Sequence, residues 1–411
     1  MMIENKRFFF IANNSIGDTG LSGGDRIYIE LARNWRKKAN ISLVACEEAV
    51  IVSKREGLTG VDFYITCPNL KLKNVFLLRA IFANFFKKLT RGILFILRNR
   101  KLYQGPCFVY SVSDFYPDSL PAFLVKLINP KAIWIAAFYL FAPAPWQKDS
   151  PYKGRDMFRG FLYWLSQRPI YWIVKSCADF VFVTSEPDKK KFITKKRDAS
   201  KVVVVRGGVN TDASDSFLEN GSFITVKERK YDACFIGRFH QQKGVLELVD
   251  IWQKVVLTKP MARLAMIGNG PLEQAAKNRA KELGIADRID FFGFLDGHEK
   301  FEVFKQSKIV VHTATFDSGG MAAAEAMAWR LPGVSFDLES LKTYYPKGMV
   351  KIASNDLRGF ASEICHLLDD RDHYESIASQ ARDLITNEWD WKKRASDIYN
   401  ILIQKEAHPE N

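Results

Sequence analysis

The feature that most constrains this chain is an alternation. Short, almost purely apolar runs recur along it, separated by helix-length amphipathic segments. In the first half the runs are RFFFIAN (Arg7 to Asn13), ISLVAC (Ile41 to Cys46), CFVYSVS (Cys107 to Ser113), AIWIAAF (Ala132 to Phe138), DFVFVTS (Asp179 to Ser185) and KVVVVR (Lys201 to Arg206). In the second half they are YDACFIG, RLAMIGN, RIDFFGF, KIVVHTA, LPGVSFD and GMVKIA. A strand with one wet face alternates apolar and polar residues. A run that is apolar throughout is buried on both faces, the condition of a parallel strand covered by helices. The alternation therefore predicts two α/β units with parallel sheets. Right-handed crossovers then bring the C-terminal ends of the strands to one edge, where ligands of such sheets bind, and two such edges facing each other make one cleft. The length of 411 residues also suits two cores better than one. The stretch RGGVNTDASDSFLENGS, Arg206 to Ser222, is rich in Gly, Asn, Asp and Ser. We place units at 1–207 and 212–390, with a hinge at Gly207 to Asp212.

The apolar fraction of 47% excludes a fibrous or disordered chain. Cys46, Cys67, Cys107, Cys177, Cys234 and Cys365 form no CxxC pair, so a zinc or redox motif has no support and reduced, buried thiols are expected. The start MMIENKRFFFIANN lacks the features of a signal peptide. The longest uncharged run, Ala132 to Gln147, is too short for a membrane span and carries prolines. A cytoplasmic protein without a transmembrane segment is expected. The net charge of +14 favours an anionic partner. From Phe76 to Tyr103 there are seven Lys or Arg and no acid, interleaved with Phe, Leu and Ile. Phe158 to Lys175 has the same character. Two readings stand: a helix lying in an anionic membrane interface, or a helix packed on a sheet with a basic edge. No nucleic-acid fold motif accompanies the charge, so nucleic acid is not expected as a partner.

Four constellations carry chemistry. In FIGRFHQQKG a strand ends at Gly237 and a helix starts near Gly244, so Arg238 and Lys243 stand where a phosphate could be held beside helix amides, or else are surface charge. In MIGNGP a strand ends at Gly268. Asn269, Gly270 and Pro271 open the next helix there, through plain turn chemistry or with backbone close to a ligand. It is not a dinucleotide fingerprint, because the third glycine is missing. In DSGGMAAAEAMAWRLPG a helix begins at about Met321, Asp317 precedes the turn, and Glu325 lies one turn in. Taken alone this is an Ala-rich core helix with acids at its favoured end. In GDTGLSGGDRIYIELARNW, Gly20, Gly23 and Gly24 make a flexible loop, placed where a ligand would be cradled or else a simple connection, and Asp25 could cap the helix.

Together these residues resemble a GT-B fold glycosyltransferase of the large family that includes the retaining glycosyl transferases group 1, often called family four. GRFHQQKG resembles its GR…KG motif, IGNGP its GxGP turn, VVVVRGGVNTD its NGVD hinge strand, and GLSGGDRIYIELA its N-terminal glycine loop. DSGGMAAAEAMAWRLPG resembles EGFGxxxxEAMAxGxP, with seven residues between the acids. The resemblance implies a donor-binding C-terminal domain and an acceptor-binding N-terminal domain, Rossmann-like and facing across a cleft, with the helix at 391–411 packing back on the N-terminal one. It implies that Arg238 and Lys243 hold the donor's diphosphate, that Glu325 binds ribose and that Asp317 contacts the transferred sugar. Gly320, Met321 and Ala322 would offer amides, Gly237, Gly268 and Asn269 would border the donor, and Gly23 and Gly24 would close over it.

The chain departs from the family pattern in several places. Asp317 replaces Glu, SGG replaces GFG, Arg330 replaces a glycine, and all six His lie at His240 or beyond, leaving the N-terminal half without the His many relatives use. Asp114 in VSDFYPD is the acceptor-side polar candidate, although capping of the next helix is the preferred reading. The implied reaction is retaining transfer of a sugar from a UDP- or GDP-linked donor to an acceptor hydroxyl. Arg238, Lys243 and the helix start would meet the leaving charge in place of a metal. Polysaccharide, lipopolysaccharide or glycolipid assembly at the cytoplasmic membrane face follows as the expected setting, with a saccharide or lipid-linked saccharide acceptor. A non-catalytic partner that keeps the fold is the alternative. The changed acid and the missing His motivate it, and the retained Arg238, Lys243 and Glu325 oppose it.

Overall fold

A computed structural model describes residues 6–15, 22–68, 78–147, 154, 157–205, 207–219, 225–317 and 319–407. The chain divides into one unit of Met1–Arg206 with Trp391–Asn411 and a second of Gly207–Asp390. Each is an α/β unit around a parallel sheet, the class the apolar runs predict.

The first unit carries β1 (Arg7–Ala12), β2 (Asn40–Cys46), β3 (Asp62–Cys67), β4 (Cys107–Ser111), β5 (Ala132–Ala137), β6 (Phe180–Val183) and β7 (Val202–Val204). Their order in the sheet is β3-β2-β1-β4-β5-β6-β7, with every pair parallel. The interior strands are buried along nearly their whole length. The strand the sequence patterns miss is β3. It is an edge strand, exposed or half-buried at all positions but its last, so it lacks the doubly apolar signature. One sheet face is covered by helices Gly23–Trp35 and Trp391–Ala407, joined where the Trp35 indole donates to the Ala395 carbonyl at 2.7 Å. Helices Leu78–Arg98, Tyr116–Ile128 and Met157–Cys177 share the core on the other face, through Ile96, Val125, Ile170 and Val174 among others.

The second unit carries β8 (Tyr231–Ile236), β9 (Leu264–Ile267), β10 (Ile289–Gly293), β11 (Ser307–His312), β12 (Gly333–Phe336) and β13 (Met349–Ile352), ordered β10-β9-β8-β11-β12-β13 and all parallel. The order reverses between β8 and β11. That is the switch point at which two loops leave the sheet in opposite directions and open a crevice.

Local details differ from the sequence reading. The cap of helix Gly23–Trp35 is Ser22, not Asp25. Asp25 is the reciprocal partner, accepting from Ser22 while its own amide donates to the Ser22 hydroxyl at 3.1 Å. Pro271 does not open a helix, since the next one is Glu273–Glu282. Residues 16–21, including Gly20, lie outside the described residues. All six cysteines are free, four of them buried. Among the described residues no helix is long and apolar enough to cross a membrane.

Candidate functional site

The loops that leave β8 and β11 at the switch point are strapped together. The Thr313 hydroxyl donates to the Lys243 carbonyl at 3.0 Å, and the Thr315 amide to the Gln242 carbonyl at 3.0 Å. The β8 loop turns through a short 3-10 segment, Gln241–Lys243, and Gly244 then takes φ +62° to begin helix Val245–Thr258. A Cβ on Gly244 would lie 1.9 Å from the Thr313 carbonyl oxygen, so the strap itself demands glycine.

The strap brings Lys243 against Asp317. Nζ lies 2.5 Å from Oδ2, with the Asp317 side chain 8% exposed and that of Lys243 29%. His312, the last residue of β11, places Nε2 3.1 Å from the same oxygen, off the line of a ring N–H hydrogen bond. The other oxygen, Oδ1, accepts from the amides of Gly319 and Gly320, both at 3.1 Å. Burial pushes the Asp317 carboxyl upward. The adjacent His312 and Lys243 outweigh it and hold the group well below the usual carboxylate range. The Tyr345 hydroxyl donates to the Gly320 carbonyl at 2.6 Å, and the Ser340 hydroxyl to the Asp317 carbonyl at 2.7 Å. The loop is thus fixed before helix Met321–Met327, whose first amides, those of Met321 and Ala322, have no partner within the helix. At two turns the helix adds only a small dipole, and positive charge at the loop comes from side chains.

Glu325 does not share this cluster. Its Oε2 lies 2.8 Å from Nζ of Lys300, which is also 2.8 Å from Asp296 Oδ1. The two acids of the motif therefore hold separate cations, Lys243 and Lys300. Both His312 and Lys300 are absent from the sequence reading. His312 ends a strand already identified as pointing to this edge. Lys300 lies 25 residues before Glu325 on another helix and gave no signal. Replacing Lys300 with Met would leave Asp296 and Glu325 without the cation they share. If Glu325 holds ribose, the donor KM should rise about tenfold with kcat within about twofold, because uniform binding is what is lost. Steady-state kinetics read this directly, and an unchanged KM removes Lys300 from the site.

Arg238 is exposed, and no hydrogen bond or ion pair of its guanidinium is found among the described residues. Gly237, Gly268 and Asn269 lie at the ends of β8 and β9. The glycine at 268 is explained by packing. At φ +138° its Cβ would sit 1.9 Å from the Gly237 carbonyl oxygen, so the close approach is to the neighbouring loop's backbone. Arg330 takes φ +63° where the family pattern has glycine, and its guanidinium pairs with Glu375 at 2.9 Å. One cluster of metal-type ligands occurs among the described residues, Glu363, His366 and His373. It lies on helices Leu357–Asp369 and Arg371–Leu384, not on these loops.

In the first unit, Gly23 and Gly24 form the first turn of their helix, and a Cβ on Gly24 would contact the Tyr139 ring at 3.6 Å. Asp114 is buried and does not cap a helix. It accepts from the Gln167 amide at 2.7 Å, and burial pushes its carboxyl up to about 6. The more perturbed acid is one the sequence did not single out. Asp118 accepts from the Asn13 amide at 2.5 Å, the Asn14 amide at 3.0 Å and the Ser113 hydroxyl at 2.5 Å, which ties the ends of β1 and β4. Burial nevertheless pushes it up to about 7. Its folded pKa lies above the unfolded one, so its contribution is complete below about pH 4 and is lost as pH rises through about 7. Asp118→Asn should flatten that decline, by up to about 4 kcal/mol at 1.36 kcal/mol per unit. Urea melts of both proteins at about pH 4.5 and about pH 7.5 test this. Parallel declines would show that Asp118 is ionised throughout.

Residues 216–384 match the family model Glycosyl transferases group 1. An uncharacterized glycosyltransferase of Methanocaldococcus jannaschii is 24% identical over 217 residues, 49% of this chain and 53% of that protein. Glycogen synthase of Mycobacterium tuberculosis is 22% identical over 50% of this chain and 55% of its own length. The match thus spans about half the length of these relatives. An uncharacterized 41.2 kDa protein in the cps region of Klebsiella pneumoniae aligns more fully, at 20% identity over 87% of this chain and 95% of its own. Among solved structures, sucrose-phosphate synthase of Thermosynechococcus elongatus superposes with a TM-score of 0.69 at 16% identity, covering 98% of this chain and 100% of the other. Anabaena HepE in complex with UDP and glucose superposes with a TM-score of 0.66 at 14% identity, covering 97% and 100%. The fold is the one these proteins share.

Proposed function

We propose that this chain, a GT-B fold protein with a glycosyl transferases group 1 segment at 216–384, moves a sugar from a nucleotide diphosphate sugar to an acceptor hydroxyl with retention. The observation that carries the reading is the strapped pair of loops at the β8–β11 switch point, with Lys243, Asp317 and the amides of Gly319 to Ala322 gathered on one edge. In this reading the diphosphate takes Arg238 and Lys243. Arg238 offers a planar fork from the surface, and Lys243 a point charge already fixed by Asp317. As the sugar–phosphate bond breaks, the leaving UDP or GDP gains negative charge and these cations meet it, so the reaction runs without a metal. Glu325 takes the ribose hydroxyls. Asp317 acts on the sugar chiefly by holding the loop, since each of its oxygens is already engaged. Gly23, Gly24 and Asp114 serve the first unit's side of the reaction.

The acceptor we propose is a saccharide or lipid-linked saccharide at the cytoplasmic membrane face, in polysaccharide, lipopolysaccharide or glycolipid assembly. The similarity to a protein of a cps region over 87% of this chain supports the setting. So does the surface of helix Leu78–Arg98, where Phe82, Phe86, Leu94 and Leu97 are exposed along one stripe with Arg91 and Arg98 beside them. Not all of that helix's charge faces outward. Lys88 is buried against Glu48 at 3.0 Å. A thermal-shift panel of UDP-, GDP- and ADP-sugars tests the donor, since a ligand that binds the folded state at a hundred times its Kd stabilises it by about 2.7 kcal/mol. A shift with UDP- or GDP-sugars and slow release of the free sugar are expected. A protein that binds none of them is not this enzyme.

A further inference from the structure

The far edge of the first unit carries a groove that the transferase reading does not use. It has a volume of about 630 Å³ and lies at the N-terminal ends of β5 and β6, beside Ile133, Asp179 and Phe180. That is the edge opposite the strand C-terminal ends where a substrate would sit. Five lysines line it: Lys175, Lys195, Lys196, Lys201 and Lys405. The acid in its lining, Asp179, is already 2.8 Å from Lys126. Asp198, next to the groove, accepts from the Ser200 amide at 2.6 Å; that contact, with Lys201 and Lys405 nearby, holds its carboxyl below the usual carboxylate range.

The C-terminal end of helix Met157–Cys177 opens here and would by itself make the groove negative, because its last carbonyls have no helical partner. Arg197 cancels this. Its guanidinium is buried and donates to the carbonyls of Val174, Lys175, Ala178 and Phe192. The hydrogen bonds of the guanidinium go to uncharged carbonyls, and Asp179 is the acid whose charge acts on it. A buried cation is thereby held beneath the floor of a groove that five lysines line.

The same helix supplies a second, independent feature. Phe158, Leu162, Leu165 and Trp172 are 68%, 39%, 48% and 60% exposed and stand at spacings of four, three and seven, one stripe of a helix. The stripe runs into the groove at Trp172, which lines it. Apolar side chains leading to a cluster of lysines fit the two layers of a bilayer surface, with the acyl boundary under the stripe and phosphates at the cations.

We infer that this groove is a headgroup site. It takes the phosphate of an anionic lipid while the stripe of helix Met157–Cys177 lies in the interface. The inference rests on the peripheral membrane reading above, and its test separates the two. The full chain is sedimented with vesicles of phosphatidylcholine alone and with added phosphatidylglycerol, at low and physiological salt. The variant Lys195→Gln/Lys196→Gln removes two exposed groove cations. Lys281→Gln/Lys342→Gln removes two exposed cations from the second unit. Wild type is expected to bind the phosphatidylglycerol vesicles. The groove variant should lose roughly thirtyfold in partitioning, and the control pair little. Circular dichroism melts should coincide for all three. Equal losses in both variants would show a diffuse charge effect and overturn the site. A groove variant that binds as wild type does overturns it too, while leaving the membrane reading to helix Leu78–Arg98. Stabilisation by inorganic phosphate that the groove variant loses, with vesicle binding unchanged, assigns the groove to a soluble anion instead. No vesicle binding by wild type removes both readings.

Discussion

Lys243→Ala is expected to lower donor turnover on the order of 10²–10³-fold, the usual cost of deleting one preorganised charge from a transition state. Two effects add. The leaving diphosphate loses a cation, and Asp317, 8% exposed and 2.5 Å away, loses its ion-pair partner. Separating them requires a second variant. Lys243→Arg restores a charge but not the point contact at 2.5 Å, because a guanidinium is broader and planar. It should recover stability more than turnover. If Lys243→Ala turns over within about threefold of wild type, the diphosphate is held elsewhere and only the loop-holding role survives. Arg238 offers a contrast. Exposed, with no recorded side-chain partner among the described residues, it should lose turnover on truncation with almost no change in melting temperature.

How much of this was legible in the sequence follows from what each feature depends on. The two parallel sheets could be read because burial on both faces leaves its mark residue by residue. Six of the seven strands of the first unit and all six of the second stood out as apolar runs. The exception, β3, lies at an edge, and its exposed or half-buried positions erase that mark. The residues gathered on the β8 and β11 loops were legible as types on loops but not as pairs. Lys243 and Asp317 are 74 residues apart, and Glu325 and Lys300 are 25 apart on different helices. Only the superposed ends of β8 and β11 and the packing of the helices decide such pairings. Asp118 illustrates the same limit. It stands beside Pro117 in the first turn of a helix, a position that drew no notice in the sequence, and only the fold places it under the amides of Asn13 and Asn14. At Gly268 the sequence left plain turn chemistry and close approach to a ligand both open, and the fold supplies a packing reason for the glycine, since a Cβ there would meet the Gly237 carbonyl oxygen.

The second large effect concerns Asp317, where the chain departs from the motif it resembles. A glutamate stands there in the motif that the sequence resembles, yet Asp317→Glu is expected to impair this protein at least tenfold in turnover. Oδ1 accepts from the amides two and three residues ahead, both at 3.1 Å, a turn that a short Asp arm closes on its own backbone. Lengthening the arm by one C–C bond, ~1.5 Å, cannot keep both amides and the 2.5 Å contact to Lys243. Asp317→Asn keeps the shape and removes the charge. Its cost at neutral pH should be about 2 kcal/mol, below that of a fully buried pair, because Lys243 keeps part of its exposure to water. The pH dependence has the opposite sign to that of Asp118. With a folded pKa held below the unfolded one, Asp317 contributes fully above the ordinary carboxylate range, and that contribution is lost as pH falls through the folded value. Asp317→Asn should therefore lie closest to wild type in strong acid and furthest from it near neutrality. Urea melts across that range, together with turnover of the Glu variant, decide the matter. A Glu variant more active than wild type would mean that the carboxylate leaves the loop to act on the sugar directly. An Asn variant as stable as wild type at neutral pH would mean that the Lys243 pair holds nothing in place.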